Sequence, residues 1–83
     1  MTVRLFARAR DLVGAERVTV ALPAGATVGD LRRRLAADYP ALTPLLARSA
    51  LAVAGEFARD ADLLPAGAEV ALLPPVSGGI MTA

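Results

Sequence analysis

The chain has 83 residues, nine basic against eight acidic, and a net charge of +1. That is one small domain, with no charge bias toward nucleic acid. It contains no Cys, His, Lys or Trp, which excludes a disulfide framework, Cys or His metal sites, a His general base, a Cys nucleophile and a Lys Schiff base.

No segment approaches the ~18–20 apolar residues of a membrane span. The opening Met1-Thr2-Val3-Arg4-Leu5 reads as a strand rather than a signal peptide. The expectation is a cytoplasmic protein without membrane or nucleic-acid partners. Carboxylates, arginines, a few hydroxyls and Tyr39 are a poor set of tools for catalysis, so the chain reads as a non-enzyme.

In chain order, Val3, Leu5 and Ala7 alternate with Arg4 and Phe6, the period of a half-buried strand. Ala9 to Val13 reads as a short helical turn closed by Gly14. Arg17 to Leu22 alternates again and predicts a second strand. Pro23-Ala24-Gly25 is a turn, with Pro pre-setting φ and Gly ending it.

Thr27 then reads as a helix N-cap with Asp30 in the capping-box position. Val28, Leu31 and Leu35 form one apolar stripe at helical spacing, with Tyr39 a candidate fourth member, and Pro40 stops the helix. Arg32-Arg33-Arg34 reads as a solvated helix face. Thr43-Pro44 is expected to cap a short helix through Ala47.

Leu51 to Ala54 predicts a third strand, turned by Gly55-Glu56, and Phe57 opens a short segment. Asp60 to Leu64 reads as an irregular or helical turn, with Asp60 and Asp62 as turn residues rather than metal ligands. Pro65-Ala66-Gly67 repeats the earlier turn chemistry, and Glu69 to Leu73 is the last strand. One amphipathic helix among these strands predicts a two-layer α+β domain: a β-grasp, ubiquitin-like mixed sheet packed against one main helix.

Alternation puts Val3 and Leu5 on one face and Arg4 and Phe6 on the other, and separates Val70 and Leu72 from Ala71 and Leu73. With the first set turned to the helix, Phe6 and Leu73 face outward, and Phe57 joins them as a candidate partner-binding patch. After this domain (1–73) come Pro74-Pro75-Val76-Ser77-Gly78-Gly79 and a further Ile80-Met81-Thr82-Ala83. The diproline lacks backbone N–H groups, ends the ladder and favours an extended course. Ser77-Gly78-Gly79 has almost no side chain, so it enters a narrow channel. Residues 74–79 reach roughly 18–20 Å. They read as a functional tail for insertion into a partner.

Several segments carry a family resemblance: Val3-Arg4-Leu5-Phe6-Ala7-Arg8-Ala9-Arg10-Asp11-Leu12-Val13-Gly14, Thr27-Val28-Gly29-Asp30-Leu31, and Glu69 through Pro74-Pro75-Val76-Ser77-Gly78-Gly79. The chain resembles the molybdopterin synthase small subunits, ubiquitin-like sulfur carriers of molybdenum-cofactor synthesis. The resemblance implies that Gly79 bears the sulfur and Gly78 gives it clearance. It implies a ubiquitin-activating-type adenylyltransferase that uses ATP, a sulfur donor protein, and a large synthase subunit that receives the tail and contacts the apolar patch. It implies no cofactor bound to the chain itself.

The family pattern ends at the second glycine, whereas here Gly79 is an ordinary amide followed by residues 80–83. Proteolytic trimming, a cloning remnant, a fusion remnant and divergence from the carrier role all account for that extension. A thiamine-thiazole sulfur carrier, a ubiquitin-like protein modifier and a plain interaction domain are the alternative functions.

Overall fold

Alternating apolar residues become strands here because one side of each can be covered by a helix. A computed structural model describes residues 1–73; the tail 74–79 and residues 80–83 lie outside the described residues. The strands are β1 (Thr2–Leu5), β2 (Arg17–Thr19), β3 (Ala50–Val53), β4 (Glu56–Ala58) and β5 (Val70–Leu73). The helices are α1 (Ala7–Val13), α2 (Val28–Asp38) and α3 (Thr43–Leu46), with a 3₁₀ turn at Pro40–Leu42.

The five strands form one mixed sheet in the order β2-β1-β5-β3-β4. Only the β1–β5 pairing is parallel within it, with Val3 beside Val70 and Leu5 beside Leu72. This is the expected α+β, β-grasp arrangement. Val3, Leu5, Val18, Leu51, Val70 and Leu72 are buried on the covered face, against Val28, Leu31 and Leu35 of α2 and Leu42, Leu45 and Leu46 beyond it. Each such Leu or Val contributes about 1.5–3 kcal/mol of transfer free energy.

The start of α2 is fully satisfied. Thr27 Oγ1 accepts from the Asp30 N–H at 3.1 Å, and the Asp30 carboxylate accepts from the Thr27 N–H at 3.0 Å. The Val28 and Gly29 N–H groups donate to the Asp62 and Asp60 carbonyls, each at 2.9 Å. The four donors that every helix N-terminus exposes thus include two held by the β4–β5 connection. A Cβ on Gly29 would lie 3.3 Å from Asp60, so glycine permits this close approach.

Several boundaries differ from expectation. Ala7 does not continue β1: it has φ 50° and begins α1. Strand β2 ends at Thr19, although Val20 and Met1 still exchange both backbone hydrogen bonds, at 2.9 and 3.0 Å. Thr43 lies inside α3 and makes no cap; Leu42 precedes the helix. The β3–β4 turn is Ala54-Gly55 rather than Gly55-Glu56, with φ 52° and 85°.

The arginine triplet is not one solvated face. Arg33 pairs with Asp30, and Arg34 with Asp38 at 3.1 Å. Arg32 turns inward, its side chain 21% exposed, to Asp60 at 3.1 Å and to the carbonyls of Leu46 and Ser49. It fastens α2 to two loops.

Candidate functional site: the open face of the sheet

The α2 side of the sheet is filled, and the site builds from the other side. Antiparallel and parallel registers place Arg17, Arg4, Ala71, Ala52 and Phe57 in one row across all five strands. Leu73 stands beside Ala50 in the next row. Phe6 follows Leu5 with extended backbone, φ −128° and ψ 154°, so it continues the parallel register beside Leu73.

The structure therefore brings Phe6, Leu73 and Phe57 onto one face. Phe6 and Leu73 are half-buried, and Phe57 is 76% exposed. The half-buried methyls of Ala50, Ala52 and Ala71 form the floor between them. Alternation puts Ala71 on this face with Leu73, but sequence reasoning missed Ala50 and Ala52, which only the β3–β5 register brings beside them. Other exposed large apolar residues among those described are Leu12 on α1 and Leu63 in the β4–β5 connection.

Electrostatics enters at one side of the patch. The Arg4 guanidinium lies over the Phe6 ring, 5.2 Å from its centroid, a cation–π contact. The same guanidinium meets Glu69 at 3.8 Å. Among the described residues no group of three or more His, Cys, Asp or Glu is placed to hold a metal ion. No helix among them is long and apolar enough to cross a membrane.

This face can bind, and it ends at the root of the tail. Leu73 is the last residue of β5, the central strand, so the face leads directly to Pro74. The Pro74, Pro75, Val76, Ser77, Gly78 and Gly79 assignments themselves fall outside the described residues.

The ThiS family profile matches residues 3–79. The chain belongs to the ThiS family. It is 35% identical over 77 residues to the molybdopterin synthase sulfur carrier subunit of Arabidopsis thaliana, covering 93% of this chain and 80% of that relative. The crystal structure of SAMP1 from Haloferax volcanii superposes with a TM-score of 0.82 and 34% identity, over 94% of this chain and 97% of that one. A chain from the complex of subunits 1 and 2 of the Helicobacter pylori molybdopterin-converting factor shares the fold, with a TM-score of 0.65 and 24% identity over 94% of this chain and 96% of that one.

Proposed function

We propose that this ThiS-family chain is a sulfur carrier of molybdenum-cofactor biosynthesis, acting as the small subunit of a molybdopterin synthase. One observation carries the reading: the family match ends at Gly79, the second glycine, and leaves out Ile80-Met81-Thr82-Ala83. Relatives that bear the sulfur-carrier name support it.

In this reading Gly79 becomes the terminal residue. A ubiquitin-activating-type partner spends ATP to join its carboxylate to AMP, releasing pyrophosphate. Sulfide-level sulfur delivered by a sulfur donor protein then attacks the acyl carbon, expels AMP and leaves a thiocarboxylate. The tail enters the large subunit, where the sulfur is passed to the pyranopterin precursor. The thiocarboxylate is itself the nucleophile, so the carrier needs no Cys or His, and stabilisation of the charge that develops belongs to the partners. The chain binds no cofactor and works in the cytoplasm. Phe6, Phe57 and Leu73 are its contacts with the large subunit.

The test is the intact mass of the protein isolated from its native host. A species ending at Gly79, with or without one oxygen exchanged for sulfur, is expected. The 83-residue mass alone would overturn the carrier reading. Capture of the large synthase subunit, rather than of a thiazole synthase, separates this role from the thiamine pathway.

The likeness to SAMP1, a small archaeal modifier protein, favours a second reading, in which Gly79 is joined to lysines of other proteins. Conjugates that survive denaturing, reducing electrophoresis would establish it. A thiocarboxylate leaves none.

A further inference from the structure

Arg4 and Arg17 stand directly opposite each other on β1 and β2. Their neighbours show which kind of pair this is. Met1 exchanges hydrogen bonds with Val20, and the Leu5 N–H donates to the Glu16 carbonyl. The ladder bonds thus fall at the odd positions of β1, and Arg4–Arg17 is a non-hydrogen-bonded pair, the class in which facing side chains are closest. Like charges so placed destabilise a sheet. Glu69 relieves this little: it meets Arg4 at 3.8 Å, with its side chain 72% exposed, and such exposed pairs are weak and easily exchanged.

The pair borders a groove of about 660 Å³, also lined by Leu22, Gly25, Gly67 and Glu69. Its two lips are built alike. Pro23-Ala24-Gly25-Ala26 and Pro65-Ala66-Gly67-Ala68 are each closed by an N–H donated back to the proline carbonyl at 3.2 Å, with the glycine at φ 83° and 75°. These are type II turns. Their side chains beyond proline are methyls or hydrogens, so the lips do not crowd the groove. The row that holds Arg17 and Arg4 continues through Ala71 and Ala52 to Phe57. The basic end and the apolar patch are one continuous surface.

We propose that the Arg4–Arg17 pair and its groove are the electrostatic half of the partner-binding face, and that they receive a carboxylate-bearing segment of the same protein that covers Phe6, Phe57 and Leu73. The inference rests on the carrier reading in taking that protein to be the large subunit. Two guanidiniums converging on one carboxylate give short, charge-assisted, directional hydrogen bonds. The like-charge strain of the free chain is relieved on docking. The carboxylate fixes the rotation of the partner about the apolar patch, which a flat set of methyls does not.

The test compares Arg17→Glu with Phe57→Asp, measuring association with the purified large subunit across a range of salt concentrations. Arg17→Glu places an opposite charge across from Arg4, so its melting temperature is expected to equal or exceed that of the parent. Its association is expected to slow by about tenfold or more at low salt, with a flatter salt dependence, as for interface charges that steer encounter. Unchanged rate and salt slope for Arg17→Glu, with binding lost in Phe57→Asp, would overturn the subsite and leave the carrier interface standing. Normal binding by both variants would overturn the interface and the subsite together. Inorganic phosphate shifting the Arg17 resonances while Arg17→Glu binds the large subunit normally would assign the groove to a free anion instead. A salt-sensitive self-association abolished by Arg17→Glu, again with normal large-subunit binding, would assign it to a second copy of this chain.

Discussion

Arg32 on α2 donates to the carbonyl of Ser49 at 3.0 Å, across the gap between the main helix and the loop that feeds β3. It also holds the Leu46 carbonyl and the Asp60 carboxylate. One guanidinium thus ties together three separate stretches of chain. Hydrogen bonds to a charged group contribute about 1.5–3 kcal/mol, so Arg32→Met is expected to lower unfolding stability by about 2 kcal/mol in urea denaturation. Arg32→Lys should recover only part of the loss, because an ammonium lacks the planar fork. An Arg32→Met variant as stable as the parent would show that the fastening is idle.

The cap of α2 predicts an acid limb. The Thr27 backbone N–H first, and the Arg33 guanidinium second, hold the Asp30 carboxyl below its usual 3.8. A pKa depressed on folding means that the unfolded chain takes up the proton first as pH falls. The stabilisation is therefore complete above about pH 5 and is lost as pH drops through 3.8 and below. Asp30→Asn should flatten the fall in melting temperature between pH 5 and 2. Thr27→Ala removes the other half of the box and should cost about 1 kcal/mol near neutral pH, and less in acid, because the Thr27 side chain also helps to hold the Asp30 carboxyl down.

The β3–β4 hairpin is expected to improve with one substitution. Ala54 and Gly55 both have positive φ between paired Val53 and Glu56, the geometry of a two-residue type I′ turn. Alanine is poorly suited to the left-handed region, where asparagine is tolerated. Ala54→Asn should stabilise the domain by about 0.5–1 kcal/mol, read from the urea midpoint at unchanged slope.

The open face predicts a separation of stability from binding. Phe57 is 76% exposed on an edge strand, so Phe57→Ser should change free-chain stability by no more than about 0.5 kcal/mol. Leu51 lies one register position away on β3 but is fully buried on the other face. Leu51→Ala should cost about 2–5 kcal/mol. Calorimetry on the two variants gives the comparison. A cooperative transition lost in Phe57→Ser would place that ring in the core.

The fold was legible where burial follows a local period. Val3 and Leu5, Val70 and Leu72, and the Val28–Leu31–Leu35 stripe each declare their covered face without knowledge of a neighbour. Thr27 and Asp30 declare the helix start for the same reason: both partners lie within one turn. Two strand ends and a turn slipped because alanine is uninformative. Ala7 and Ala54 adopt positive φ that glycine or asparagine would have advertised. Arg32 was misread with its neighbours because its partners, at Leu46, Ser49 and Asp60, are distant in sequence. Alternation placed Phe6 and Leu73 on the open face, whereas the Arg4–Arg17 confrontation needed the β1–β2 register. No local pattern supplies that register.

The parallel pairing of the first and last strands has a mechanical consequence. Thr2 and Leu73 lie at opposite ends of the β1–β5 ladder. A load drawn between the start of the chain and whatever grips it beyond Leu73 pulls the two strands along their length, in shear. Their hydrogen bonds must then yield together, instead of opening one after another as in a hairpin peeled from its end. Side by side, β1 and β5 meet a pull along that line with every bond of their ladder at once.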